Sequence, residues 1–245
     1  MTDILRPVLE LSVIIPGILL AYLPVKSYLR QTPLRLTAWL LPLLLGVCIL
    51  GGVVCCILQV PTRWILFPIL PVIMFIYHKT LKISAWKSVS IFLAVFAVFA
   101  CVNSLSRAVN ALITAELYIA ENELWFRTSA GIFYNVICLL FVLAAWYPAR
   151  HCVQTMVTDE NFAQTWYVFW ILPIIFIGVN LFMIPKYRST LYTGRILQCY
   201  IVFSLVLLII LLLFYAMFLM MAVSLNRNAR LQQENHFLTL QQERY

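Results

Sequence analysis

Residues 200–223 read YIVFSLVLLIILLLFYAMFLMMAV, and residues 224–245 read SLNRNARLQQENHFLTLQQERY. The first stretch has neither charge nor proline and exceeds the about 20 apolar residues that a helix needs to cross a bilayer. The second is rich in Arg, Gln, Glu and Leu, contains no Gly or Pro, and follows with no helix breaker between them. The pair therefore predicts one helix that leaves the membrane and continues into water. Composition extends this reading to the rest of the 245 residues. Hydrophobic residues make up 64%, charged residues 11%, and the mean hydropathy is +0.96. Soluble domains are about 45–50% apolar and about 25% charged, so the solvent for most of this chain is lipid. Disorder and a disulfide scaffold are excluded by the same composition, and most of the 7 cysteines sit in apolar runs as small hydrophobes.

Working back from Tyr200, further spans are predicted at about Trp166–Ile184, Ala130–Tyr147, Trp86–Leu105, Trp64–Tyr77, Thr37–Val60 and Val8–Val25. Trp64–Tyr77 is short and holds Pro68 and Pro71, so a kinked segment that relies on its neighbours for backbone hydrogen bonds is expected. The first span lacks a secretory cleavage pattern and is read as retained. The fold class is thus an all-α polytopic membrane protein of about seven transmembrane helices. Residues 1–223 form the membrane domain, and residues 224–245 begin a cytoplasmic coiled-coil linker helix.

Orientation follows from Lys and Arg in the short loops. With the amino terminus outside, Lys26, Arg30, Arg35, Lys79, Lys82, Lys87, Arg150, Arg227, Arg230 and Arg244 lie inside. Arg6, Arg63, Arg107, Arg127, Lys186, Arg188 and Arg195 lie outside, a bias of 10 to 7. A multi-pass cell-membrane protein with a cytoplasmic carboxyl terminus is expected. The net charge of +8 is scattered between apolar segments, so it informs topology and does not indicate nucleic acid.

Between Ser106 and Arg127, Val109, Leu112, Ile113, Leu117, Ala120 and Leu124 recur at helical steps. An extension of the fourth helix is the plainer reading, and a helix lying along the interface is the other. Ala149–Gln164 lacks such a pattern and is expected to be a solvated turn. In the tail, Leu231, Leu238 and Tyr245 fall seven apart, with Asn228, Asn235 and Gln242 at the companion positions of a half-apolar coiled-coil seam. A helical pattern still running at Tyr245 leads to the expectation that more chain follows.

The sequence offers no catalytic constellation. Gly51-Gly52 lies within an apolar span and is not a phosphate loop. His78, His151 and His236 have no second ligand at helical spacing, so no metal site is expected. Cys55-Cys56 has no ligand or redox spacing, and the last span holds no lysine for a retinal-type pigment. Functional expectation falls instead on polar groups at membrane depth, which are costly. Glu10, Asn103, Arg107, Asn135 and Asn180 all fall in or near the outer halves of their helices. Glu10 and Arg107 could neutralise each other, and the asparagines could bond across helices or face a ligand entering from outside.

With polytopic apolar helices, a last span running into a Gln/Glu/Leu-rich helix, and the string LQQENHFLTLQQERY, the chain resembles the sensor half of Firmicutes-type sensor histidine kinases with a GHKL ATPase domain, including peptide-pheromone receptors. The specific part of that likeness is Asn226–Tyr245. It implies a homodimer through the carboxyl-terminal helix, a peptide or lipid signal, and a response regulator reached through a kinase core beyond this chain. ATP and Mg²⁺ are expected only for that core, and no cofactor is expected here. His236 lies in Asn-His-Phe, without the Arg and acidic neighbours of the family's phosphoacceptor motif. The alternative expectation is a transporter or channel-type protein whose tail is an assembly helix.

Overall fold

The computed structural model describes residues 2–113, 128–158, 166–183 and 195–242. The elements are α1 (Thr2–Leu11), α2 (Ile14–Tyr22), α3 (Pro33–Leu58), α4 (Thr62–Lys79), α5 (Ala85–Ile113), α6 (Thr128–Pro148), α7 (Gln154–Thr158), α8 (Trp166–Phe169), α9 (Ile171–Met183) and α10 (Ile196–Gln242). Helix α5 is the hub, packing against α2, α4, α6, α8, α9 and α10. The outer surface is apolar, with Phe182 90% exposed and Ile57 73% exposed. Such an exterior is stable only against lipid. Among the described residues, six stretches are long and apolar enough to cross a bilayer: Ile4–Tyr22, Pro33–Leu58, Ala85–Leu112, Thr128–Pro148, Trp166–Met183 and Ile196–Met221. The protein is therefore an all-α polytopic membrane protein.

Helix α4, the short Trp64–Tyr77 span of the sequence, is an unbroken helix of 18 residues despite Pro68 and Pro71. Its length, about 27 Å, carries the chain back along α3. The return is fixed at one end, where the Arg30 amide donates to Thr80 O at 2.9 Å and the Lys82 amide to Tyr28 O at 2.8 Å. Arg30 Nε adds a bond to Leu81 O at 2.8 Å. At the other end α3 stops because Gln59 adopts a left-handed conformation (φ 50°) and its amide returns to Cys55 O, with Pro61 just beyond. Chain direction then alternates, so the loops carrying Lys26, Arg30, Lys82 and Arg150 share one end of the bundle, called here the basic end. The opposite end holds the outer halves predicted to carry the polar groups.

The first span is two helices rather than one. Pro16 has no N–H to give the Ser12 carbonyl, and its ring crowds that carbonyl. The Ile15 amide bonds Ser12 O instead, at 3.0 Å, and the helix breaks at Ser12–Val13. Helix α1 then packs tightly against glycines. A Cβ on Gly52 would collide with the Val8 side chain and lie 3.1 Å from Val8 N, and one on Gly131 would lie 3.0 Å from Leu9 Cβ. Small residues at membrane interfaces permit this approach of backbones.

In the segment expected as a solvated turn, residues 149–158 are helical, and residues 159–164 lie outside the described residues. Ala149–Val153 forms a π-helical turn and α7 follows it, burying Met156 and Val157 in the main core with Trp166 and Phe92. Only two apolar residues do this, too few to leave a periodic trace. Beyond Ser106, α5 continues as far as Ile113, as the helix-extension reading expects; residues 114–127 lie outside the described residues.

Candidate functional site

The polar cluster is assembled by α1, α4, α5, α6 and α9. Helix α1, seated on its glycine contacts, carries Glu10 inward, where its carboxylate is 5% exposed. Arg107 on α5 faces it, with Nη2 3.5 Å from Glu10 Oε2 and the guanidinium side chain 10% exposed. The Thr62 hydroxyl, at the first residue of α4, donates to the same carboxylate oxygen at 2.5 Å. One helical turn back along α5, Asn103 Oδ1 accepts from Arg107 Nε at 3.2 Å. The Glu10–Arg107 pairing is thus present, and with Thr62 it connects three helices. Charge-assisted N–H···O bonds usually measure about 2.7–2.9 Å, so this pair is held loosely.

A cavity of about 80 Å³ lies beside the pair, with Glu10, Thr62, Asn103, Arg107, Tyr134 and Asn180 in its wall. A single water needs about 10–15 Å³ on the same measure. The space accepts a few waters or a small polar group. Arg63 lines it as well, so in this low-dielectric setting a polar entrant acts on the ion pair beside a second arginine.

The predicted residues divide into two sets. Glu10, Asn103 and Arg107 form the charged network, with Asn180 at the cavity's edge. Asn180 also fastens α9 to α5: its Oδ1 accepts from Ser104 Oγ at 2.7 Å, and its Nδ2 donates to Phe176 O at 2.8 Å and contacts Cys101 Sγ at 3.3 Å. Asn135 is occupied elsewhere. Its Nδ2 donates to Leu9 O and Gly131 O, and its Oδ1 accepts from Ser12 Oγ, all at 2.9 Å. At the break after Leu11 the Leu9 carbonyl is met by this donor and by the Ser12 hydroxyl, also at 2.9 Å. Asn135 thereby holds α1 in place and does not line the cavity.

Thr62 and Tyr134 were not legible as site residues. Thr62 precedes the apolar window at Trp64 and follows Pro61, so it reads as a turn residue. Tyr134 sits in an apolar run with nothing to mark it. His78, set aside as a ligand, faces Ser88 Oγ at 2.9 Å near the basic end, far along α4 from Thr62.

The tail positions lie on one helix. Helix α10 runs 47 residues without interruption through the boundary at 223–224 and reaches Gln242. Asn228 and Leu231 are exposed, the latter 48%. Leu238 and Asn235 fall on the same helix, and Tyr245 lies outside the described residues. Fold and site together define the class: a polytopic α-helical membrane protein with a buried ion pair and polar cavity toward one end, and a long polar helical extension at the other. No protein-family profile, curated protein or solved structure matches the chain.

Proposed function

We propose that this chain is the membrane sensor region of a two-component histidine kinase of the GHKL type, in which the polar cavity receives an extracellular or membrane-borne signal and α10 relays it to a kinase core. The observation that supports this reading best is the path between the two ends. Asn103 and Arg107 sit on α5, α5 packs extensively along α10, and α10 continues unbroken from Ile196 to Gln242. A change in the Glu10–Arg107 spacing acts on α5, and through it on the tilt or rotation of α10. Two copies pairing through Leu231, Leu238 and Tyr245, with Asn228, Asn235 and Gln242 between them, form a weak seam suited to switching. A signal needs differential affinity for the two packings, about 5.5 kcal/mol for a full 1:99 to 99:1 switch. The basic end faces the cytoplasm in this reading, consistent with the Lys and Arg bias.

The test is a fusion of a reporter kinase core after Tyr245. Asn103→Ala, which removes a contact to Arg107 without breaking the ion pair, is expected to change basal autophosphorylation at least threefold. Leu143→Ala, on the lipid face at 68% exposure, is expected to leave it unchanged. Equal output from both variants refutes the reading. The buried Glu10–Arg107 pair beside a cavity also favours a second reading, a transporter, because ionisable groups at membrane depth mark ion paths. Solute flux in proteoliposomes that depends on Glu10 would decide for it.

A further inference from the structure

A second, larger cavity lies toward the basic end, on the opposite half of the bundle from Glu10. It measures about 410 Å³, within the range of about 300–1,000 Å³ typical of ligand sites. Helices α6 and α10 flank it, with α2, α5 and α8 behind. Its flanks carry small side chains, Ala144 and Ala145 on α6 and Ala216 on α10, and Ala144 and Ala216 are themselves exposed. The cavity is therefore a slot opening sideways into the surrounding lipid.

Two observations indicate what fills it. The wall is almost wholly apolar, and the one phenol there, Tyr215, is already committed, donating to Ala94 O at 3.0 Å. An empty slot of this size forfeits dispersion contacts along its whole lining. Trp166 adds to that apolar wall and is 2% exposed, its indole N–H being enclosed and not presented to the slot. Finally, the end of the slot is cationic. Arg150 directly follows the lining residue Ala149, Lys26 lies two residues past the lining residue Pro24, and both are exposed. Lys87, nearby on α5, is already engaged, its Nζ donating to Val157 O at 2.8 Å.

We propose that this slot is a binding site for one anionic glycerophospholipid. An acyl chain lies between α6 and α10, and the headgroup charge rests against Lys26 and Arg150. Basic pockets between transmembrane helices recognise anionic headgroups in this way. Occupancy of the slot does not depend on whether α10 carries a signal.

The test uses the purified full chain in neutral detergent with phosphatidylglycerol carrying a diazirine in one acyl chain. Crosslinked peptides are mapped, and phosphatidylcholine of the same chains serves as competitor and comparison. Crosslinks are expected at Ala144–Ala149 and Leu212–Leu219, at least fivefold more abundant with phosphatidylglycerol than with phosphatidylcholine. Ala216→Phe fills the slot from its exposed side and is expected to lower them at least fivefold. Gly46→Phe, at a position with nothing within 4 Å of an added Cβ, is expected to leave them intact. Because both variants alter lipid-accessible positions, the second controls for loss of fold. Lys26→Glu with Arg150→Glu is expected to abolish the headgroup preference while acyl crosslinks persist. Crosslinks spread evenly over the lipid-exposed helices, equal labelling by the two lipids, or a slot occupied by a second copy of the chain would each overturn the proposal.

Discussion

Gly52→Ala is the substitution whose consequence the packing defines most closely. The added Cβ would collide with the Val8 side chain and also lie 3.1 Å from Val8 N and 3.3 Å from Val8 Cα. Val8 is β-branched and rotationally stiff in a helix, and its backbone atoms cannot move without moving α1. Extra methyl groups in a packed core cost about 1–3 kcal/mol. Gly→Ala also gains up to about 1 kcal/mol of helix propensity, so Gly46→Ala, with open space around it, is the matched control. Both variants share the propensity gain, and the difference between them isolates the clash: Gly52→Ala is expected to be about 1–3 kcal/mol less stable than Gly46→Ala. Reversible unfolding in mixed micelles, followed by circular dichroism, measures it. Because Glu10 lies two residues beyond Val8 on α1, loss of the Glu10–Arg107 contact should accompany the loss of stability. Equal midpoints for the two variants would refute the close α1–α3 approach and with it the placement of Glu10.

Other outcomes follow from the same contacts. Glu10→Gln and Arg107→Met should each cost about 3–5 kcal/mol, since each strands a buried partner, while the double variant costs clearly less than their sum; additive losses in the same unfolding assay would show that the two side chains do not interact. Asn135→Leu should cost about 1–3 kcal/mol by removing the α6 side chain that ties Leu9 O and Ser12 Oγ to Gly131 O, and hydrogen exchange should rise around Ser12. An unchanged exchange pattern there would mean that α1 is held by other contacts.

The membrane architecture was legible because hydrocarbon thickness imposes a length and a composition on each span, and both leave direct traces in sequence. Glu10, Arg107, Asn103 and Asn180 were legible for the converse reason: charge and amide groups stand out against an apolar background. What stayed hidden was set by close packing. The role of Asn135 depends on the helix break before Pro16, an event on another span, and Thr62 reaches Glu10 only because α4 begins beside α1. Gly51-Gly52, visible as a pair, gave no sign of which helix would fill the groove. The slot between α6 and α10 arises from alanines, which read in sequence as ordinary lipid-facing residues.

On the proposed function, α10 transmits a change in the membrane bundle to the tail as a rigid helix. Inserting one to four residues near Ser224, with the reporter kinase core fused after Tyr245, tests it most directly. A helix turns once per 3.6 residues, so output should oscillate with insertion length, displaced most at two residues and largely restored at four. Output that falls steadily with length, or does not respond at all, would contradict the relay.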